Sequence, residues 1–285
     1  MNTNKVWFIT GASKGLGLAL VQKLLAYNYR VAATSRTIDV LKQLIPNFSD
    51  TFLPLEMDIL NDGNVRGSIE KVIAHFGQID IIVNNAGYSQ IGTQEELSDK
   101  EVKQNFEVNV FGLLNVIRHA TPYLRRQRSG HIFNVSSIGG FVANFPGFGI
   151  YCATKFAVAG LTESLAEELK SFHINTTLIY PGYFRTNFLS GDSIKTPEFP
   201  IEEYKNAREV EQVHLNEING NQPNDPEKSA EVIIKLSKEE KPPVHFFMGE
   251  DSYALALEKI ASLQKALDEF KLLSCSTGYE NKTTI

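Results

Sequence analysis

The chain is expected to fold as an α/β protein: a single doubly wound parallel sheet of about seven strands, with helices on both faces. Three observations predict it. Short apolar runs rich in β-branched and aromatic residues alternate with longer runs whose apolar residues recur at helical spacing. That alternation is the signature of βαβ units, whose right-handed crossovers place helices over both faces of one sheet. A glycine-rich turn, TGASKGLG from Thr10 to Gly17, joins the first strand-like run to the first helical one.

Taken in order, VWFIT leads through that turn into a helical run from Leu18 to Tyr27. RVAAT is followed by Val40 to Ile45, FLPLEM by Val65 to Phe76, and IDIIVN by Val102 to Arg126. HIFNVSS precedes a run from Tyr151 to Ser171; INTTLIY and the helical run Pro226 to Lys238 follow. VHFFM then leads into Ser252 to Leu273, a long final helix. Two regions break the rhythm. Residues 183–225 scatter aromatics and prolines around a weak helical patch near Ile201 to Ile218, as a substrate-covering loop would. Residues 274–285, SCSTGYENKTTI, are polar and aperiodic and are expected to be a flexible tail. Residues 1–273 are accordingly expected to form one domain.

Composition narrows the partners. With 285 residues, 42% hydrophobic and 21% charged, the chain can bury a sizeable core without disulfides or metals. A net charge of -5 and a pI near 5.8 give no basic field for a polyanion, so no nucleic-acid partner is expected. No signal-peptide pattern opens MNTNKVWFITGASKG, and no apolar run reaches membrane-spanning length; a cytoplasmic protein without a membrane partner is expected. Cys152 and Cys275 are too few for a disulfide framework or a structural zinc site, and read as reduced thiols with no metal.

The glycine turn lies where an open α/β sheet binds ligands, at the carboxyl end of the first strand. Gly11 can make the sharp exit from the strand. Gly15 and Gly17 lack side chains where a phosphate, or a neighbouring strand, must come close. The helix starting there aims free N–H groups at the same space. Three glycines alone suit a bare strand-to-helix corner equally well. The spacing G-x3-G-x-G lacks the G-K-[ST] of a P-loop, which disfavours a nucleoside triphosphate. At the end of the second strand an NAD-binding chain would carry an acidic residue for the ribose; here RVAATSRT offers Ser35 and Arg36, with no carboxylate until Asp39. Arg36 can grip a 2'-phosphate through paired N–H groups, and Lys14 can add a second charge. NADP(H) is therefore expected over NAD(H).

YCATK sets Tyr151 and Lys155 four residues apart, on one face of the predicted helix. A phenol, ordinarily near pKa 10, is a poor base at neutral pH; a nearby ammonium and an oxidised nicotinamide ring favour its phenolate. Of all the tyrosines, only Tyr151 has a lysine four residues on. It follows HIFNVSS by one loop, and that strand brings Ser136 and Ser137 to the same sheet edge as the glycine turn.

In combination and in order, these motifs resemble the classical short-chain dehydrogenase/reductase family, from Lys5 to about Gly249. TGASKGLG resembles the family's cofactor turn; Asp58 in EMDI resembles the acidic residue near the adenine. NNAG (Asn84 to Gly87) matches the motif after the fourth strand, Asn109 in EVNVFG the helix asparagine, and PGYFRT (Pro181 to Thr186) the segment whose threonine contacts the nicotinamide amide. The resemblance implies a Rossmann-type fold and a catalytic set of Asn109, Ser137, Tyr151 and Lys155. It also implies a cofactor site of Gly11, Ser13, Lys14, Gly15, Leu16, Gly17, Ser35, Arg36, Asp58, Ile59, Asn85, Ala86, Gly87, Tyr151, Lys155, Pro181, Gly182 and Thr186. Ser137 lies 14 residues before Tyr151, one more than the commoner family spacing, which raises Ser136 as a rival. Alternation along HIFNVSS and the family's paired serines favour Ser137.

The implied reaction moves hydride between the nicotinamide and a carbonyl or secondary alcohol, making the chain an NADP-dependent oxidoreductase acting on CH–OH groups. In that scheme Tyr151 is the acid/base, Ser137 steadies the developing alkoxide, Lys155 lowers the tyrosine pKa and holds the ribose, and Asn109 anchors a water. Tyr88, Ile91, Phe141, Val142, Phe145, Phe148, Tyr183, Phe188 and Leu189 are candidate pocket residues, and their aromatic character suggests an apolar carbonyl or alcohol substrate. The family assembles through its fourth and fifth helices, which implies a homodimer or homotetramer. The alternatives are an NADP-binding redox sensor without turnover, and a sugar-nucleotide epimerase or dehydratase. The glycine spacing and NNAG disfavour the last.

Overall fold

The computed structural model describes residues 4–46 and 50–279. Its strands are β1 (Val6–Ile9), β2 (Arg30–Ser35), β3 (Phe52–Glu56), β4 (Ile81–Asn84), β5 (Ser89–Gln90), β6 (Gly130–Val135), β7 (Ile174–Pro181), β8 (Ile194–Lys195) and β9 (His245–Met248). Its α-helices are α1 (Gly15–Ala26), α2 (Ile38–Leu44), α3 (Asp62–Phe76), α4 (Asp99–Phe106), α5 (Gly112–Gln127), α6 (Gly149–Lys170), α7 (Lys205–Gln212), α8 (Pro226–Leu236) and α9 (Glu250–Ser274). Seven strands pair in parallel in the order β3-β2-β1-β4-β6-β7-β9, the doubly wound sheet expected. The chain winds outward from β1 to β3, then returns to start the other half at β4. The crevice of such a sheet opens at that reversal, beyond the carboxyl ends of β1 and β4.

Strand alternation divides the core. Trp7 and Ile9 of β1 pack with Leu20 and Leu24 of α1 and Ile233 of α8. Val6 and Phe8 point the other way, to Val65 and Ile69 of α3, Val116 and Leu124 of α5, and Leu165 of α6. All four β1 side chains are fully buried, each worth about 1.5–3 kcal/mol of transfer free energy, which is why VWFI reads as continuous rather than alternating. Helix starts are locally encoded. Asn61 accepts from the Asn64 N–H at 2.9 Å at the start of α3, Ser98 and Glu101 form a capping box on α4, and Asp225 caps α8 ahead of Pro226.

The single helix expected over Val102 to Arg126 is interrupted. Between α4 and α5 the backbone widens into a π-helical turn, Glu107–Phe111. There Asn105 and Asn109 both donate to the Tyr88 carbonyl, at 3.1 and 2.9 Å, an inward aim that the periodicity of apolar residues cannot register. The excursion after β7 contains α7 and a second π-helical segment, Val213–Ile218, over the helical patch anticipated there. It also contributes β8, which pairs in parallel with β5; at two residues each, these strands are too short to leave a periodic signal. Helix α9 docks by its first turns only: Ser252 Oγ donates to the Tyr180 carbonyl at 2.7 Å and Ala256 is buried, while residues 257, 258 and 260–274 are exposed. In the expected tail, Cys275–Thr277 form a 3-10 turn, and residues 280–285 lie outside the described residues. No helix of the described residues is long and apolar enough to cross a membrane.

Candidate active site

A cleft of about 680 Å³ opens along the carboxyl edge of β1, β2, β4, β6 and β7. Its floor at β1 is built by interlocking two sequence motifs. Thr10 Oγ1 accepts from the Asn85 and Ala86 N–H groups, both at 3.1 Å, and Asn85 Nδ2 returns bonds of 3.0 Å to the Thr10 and Gly11 carbonyls. Gly11 sits at φ 64°, and a Cβ there would fall 2.8 Å from the Ala86 Cα, so only glycine lets the turn and NNAG meet. Gly15, at φ 58°, faces Thr186 across the cleft. Gly17 does not line the cleft: a Cβ there would strike Asn85 and the Gly11 carbonyl, so its role is to seat α1 against the turn. Lys14 begins α1 without a side-chain cap, which leaves the first N–H groups of the helix free toward the cleft. This uncapped terminus, beside a glycine with no side chain, fits the phosphates of a dinucleotide.

Of the residues the sequence singled out for a cofactor, Ser13, Lys14, Leu16, Ser35, Arg36, Asp58, Ile59, Asn85, Ala86, Gly87, Pro181, Gly182 and Thr186 line the cleft. Lys14 and Arg36 are exposed at its rim. Arg36 Nη2 lies 3.9 Å from Asp192 Oδ2, and with both side chains at least 80% exposed the pair adds little stability. Asp58 Oδ1 accepts the Leu60 N–H at 3.0 Å, and Asn115 Nδ2 holds the Ile59 carbonyl at 3.0 Å. Gly112, at the start of α5, lets Ile59 approach, since a Cβ would come within 2.9 Å of it.

Tyr151, Lys155 and Ser137 meet deeper in the cleft. Ser137 leaves β6 in an extended conformation and its Oγ accepts the Gly139 N–H at 3.0 Å; a Cβ on Gly139 would lie 3.4 Å from that Oγ and 3.5 Å from the Tyr151 ring, so the two side chains flank one glycine. Ser136 turns away and donates to the Lys155 carbonyl at 3.0 Å. The glycines after the serines permit this: a Cβ on Gly140 would overlap Ser136 Oγ and the Lys155 carbonyl. Lys155 Nζ donates to the Val135 carbonyl at 3.0 Å and lies 5.8 Å from the Tyr151 ring centre. Burial pushes the Lys155 ammonium down to about 8 and the Tyr151 phenol well above its ordinary value, with the nearby Ser137 hydroxyl opposing the second shift. The phenol is thus protonated in this state and a weaker acid than an ordinary tyrosine. Asn109 is one step removed. Its amide clamps Tyr88, accepting from the N–H at 3.0 Å and donating to the carbonyl at 2.9 Å, and it bonds Thr154 Oγ1 at 3.0 Å. It does not line the cleft, though it neighbours Gly87, which also lies beside Lys155 Nζ.

On the substrate side, Tyr88, Phe145, Phe148, Tyr183, Phe188 and Leu189 line the cleft. Phe141 and Val142 do not; they pack against Phe247 and Ala256, under α9. Ile91 is fully buried behind the wall, in the cluster that includes Phe148 and Leu189. Sequence reasoning missed His214, Gln104, Lys195 and Asp192, which also line the cleft. His214 Nε2 lies 2.9 Å from the Tyr183 hydroxyl, across 31 positions of sequence. Nothing local in the sequence announces such a pair.

Comparisons with known proteins agree with this geometry. The model of the family described as short chain dehydrogenase matches residues 5–195. Oxidoreductase BOA17 of Botryotinia fuckeliana is 34% identical over 266 residues, which cover 93% of this chain and 96% of that protein. A 3-ketodihydrosphingosine reductase of Bacteroides thetaiotaomicron is 34% identical over 251 residues, covering 86% and 88%. Among solved structures, a short-chain dehydrogenase from Streptomyces avermitilis superposes with a TM-score of 0.88 at 32% identity, covering 96% of this chain and 99% of that one. With the family model spanning most of the chain and full-length relatives above 30% identity, the chain belongs to the classical short-chain dehydrogenases and is an oxidoreductase of that type.

Proposed function

We propose that the chain is an NADP(H)-dependent carbonyl reductase and secondary-alcohol dehydrogenase acting on a small, largely apolar substrate. One observation carries the reading: Tyr151, with Ser137 and the Lys155 ammonium beside it, faces the same cleft as the uncapped start of α1. When bound, the nicotinamide supplies or accepts the hydride at the carbonyl carbon. In reduction the Tyr151 hydroxyl gives its proton to the carbonyl oxygen. Ser137 donates to the same oxygen as charge develops on it. In the oxidative direction Tyr151 takes the proton back, and the adjacent Lys155 ammonium favours the phenolate. Asn109 acts through others, fixing Tyr88 and Thr154 around Lys155.

Lys14 and Arg36, with no carboxylate at the end of β2, support a 2'-phosphate reader. The wall of Phe145, Phe148 and Phe188 supports an apolar substrate. In this reading residues 1–273 are one catalytic domain, 183–225 its substrate loop, and exposed Phe111 and Phe156 belong to a homodimer or homotetramer interface whose mass in solution tests it. The decisive experiment is NADPH oxidation with a panel of aromatic and aliphatic ketones. Tyr151→Phe is expected to lower kcat by about 10²–10⁴-fold while NADPH binding persists. Cofactor binding with no Tyr151-dependent turnover of any ketone would replace the reductase with an NADP-binding sensor.

A further inference from the structure

The cleft holds a second phenol, and its hydrogen-bonding is fixed by its neighbours. Tyr183 follows the Pro181 and Gly182 turn beyond β7. Its backbone N–H donates to Asp251 Oδ2 at 2.6 Å, and its carbonyl accepts from Asn224 Nδ2 at 2.9 Å. Asn224 also donates to Asp251 Oδ1 at 2.8 Å, so the backbone of Tyr183 is held from the first turn of α9. The hydroxyl then meets buried His214 Nε2 at 2.9 Å.

The tautomer of His214 follows from its other nitrogen. Nδ1 lies 2.7 Å from the Val210 carbonyl, which can only accept. Nδ1 therefore carries the proton and Nε2 offers a lone pair, to which the Tyr183 hydroxyl donates. A phenol has one proton, and here it is spent. Toward the cleft the Tyr183 oxygen presents lone pairs alone. Burial keeps both groups neutral: it pushes His214 down, and with Asp251 and Cys152 it holds Tyr183 up at about 12. The Phe148 ring lies 4.6 Å from His214 and 6.5 Å from Tyr151, so the His214–Tyr183 pair and the Tyr151 phenol border one apolar wall.

We propose that Tyr183, oriented by His214, is a hydrogen-bond-accepting subsite that selects hydroxyketones and diols, substrates whose second hydroxyl donates to it while Tyr151 engages the reacting oxygen. This rests on the reductase reading above. An ether, a second carbonyl or a carboxylate at that place would set lone pairs against lone pairs in a site with little water, which costs far more than a missing apolar contact.

The test compares medium-chain methyl ketones carrying a hydroxyl at successive carbons with their methoxy and unsubstituted counterparts. Wild-type protein is expected to favour the best-placed hydroxyketone by about tenfold or more in kcat/KM, the worth of one buried hydrogen bond. In Tyr183→Phe that ratio should fall to within about threefold. In His214→Phe the freed Tyr183 proton can donate, so methoxyketones should gain on hydroxyketones. Because each readout is a ratio within one variant, a general loss of activity cancels. The subsite is overturned if wild type treats hydroxy- and methoxyketones alike at every position, or if Tyr183→Phe keeps the preference. The same pairs titrated against NADPH-loaded protein, with quenching of the bound NADPH fluorescence, separate the two readings. A binding preference without turnover keeps the subsite and rejects the reductase; turnover without preference does the reverse; neither rejects both.

Discussion

Lys155 places a charge where little water reaches it, and the consequence is measurable as a pH-dependent stability. Only 5% of the residue is exposed, and burial lowers its pKa from 10.5 to about 8 in the folded chain. Between those values the unfolded chain holds a proton that the folded chain has released. Folding is therefore penalised below pH 8, and the penalty is relieved as pH rises from 8 toward 10.5. At about 1.4 kcal/mol per unit the full penalty is about 3 kcal/mol, of which about 2 kcal/mol should lift between roughly pH 7 and 9.5. Lys155→Met keeps the volume and removes the titration; the Val135 carbonyl that it leaves unpaired adds a constant offset at both pH values. Urea denaturation of cofactor-free wild type and variant at the two pH values gives the comparison. The difference in unfolding free energy should shift by about 2 kcal/mol toward the wild type at the higher pH. A difference that does not change with pH would refute the claim that the ammonium is buried at this cost.

Gly11→Ala puts a Cβ on the Ala86 backbone at a positive φ, so a loss of at least about 2 kcal/mol is expected with weakened NADPH binding, read by thermal melts and fluorescence titration. Lys14→Ala with Arg36→Ala should cut the NADPH-over-NADH preference in kcat/KM by about tenfold or more, as loss of charge-assisted bonds to a 2'-phosphate requires. An unchanged preference would move the phosphate reader elsewhere. Arg208 joins Glu96, whose side chain is fully buried, at 2.9 Å, and Glu211 at 2.6 Å. Arg208→Met should strand the Glu211 carboxylate and leave Glu96 to the Thr93 and Ile201 N–H groups, destabilise by about 3 kcal/mol, and make residues 196–218 the first site of limited proteolysis.

The parts of this fold legible in sequence are those with a local or periodic cause. The strands of the main sheet announced themselves because residues such as Val6, Trp7, Phe8 and Ile9 are apolar on both faces. The cleft's cofactor side was legible because Gly11, Gly15, Asn85 and Ala86 lie in contiguous motifs at strand ends. What stayed hidden was decided at long range or by departures from regular helix. The π turn at Glu107–Phe111 exists to aim Asn109 at Tyr88 and Thr154, and no spacing rule encodes an extra residue in a helical turn. Phe141 and Val142 looked like wall residues because they are apolar and near the strand edge, yet α9 and β9 offered them better burial. His214 had only a local bond to the Val210 carbonyl to show, because its Tyr183 partner and its contact with the Phe148 ring come from distant segments.

The site thus divides by the stiffness of what carries it. Tyr151, Lys155 and Ser137 stand on α6 and the end of β6, elements locked into the core by packing on both faces of the sheet. Tyr183 and His214 stand on the excursion after β7, a lid in the proposed function, which is tied down at separate points. Asp251 of α9 grips Tyr183, β8 pairs with β5, and Glu96 binds both the Ile201 N–H, at 2.7 Å, and Arg208. Each tie lies away from the reacting groups. Loosening one should disturb how tightly and which substrate is held before it disturbs proton transfer at Tyr151, because the phenol and its partners do not move with the lid. Asp251→Asn is the sharpest case. It keeps the shape but weakens the acceptor for the Tyr183 N–H, so KM for the preferred substrate should rise while single-turnover hydride transfer at saturation changes little. Equal losses in both would mean that the lid helps to place the reacting carbonyl itself, and that the division between rigid chemistry and adjustable selection is wrong.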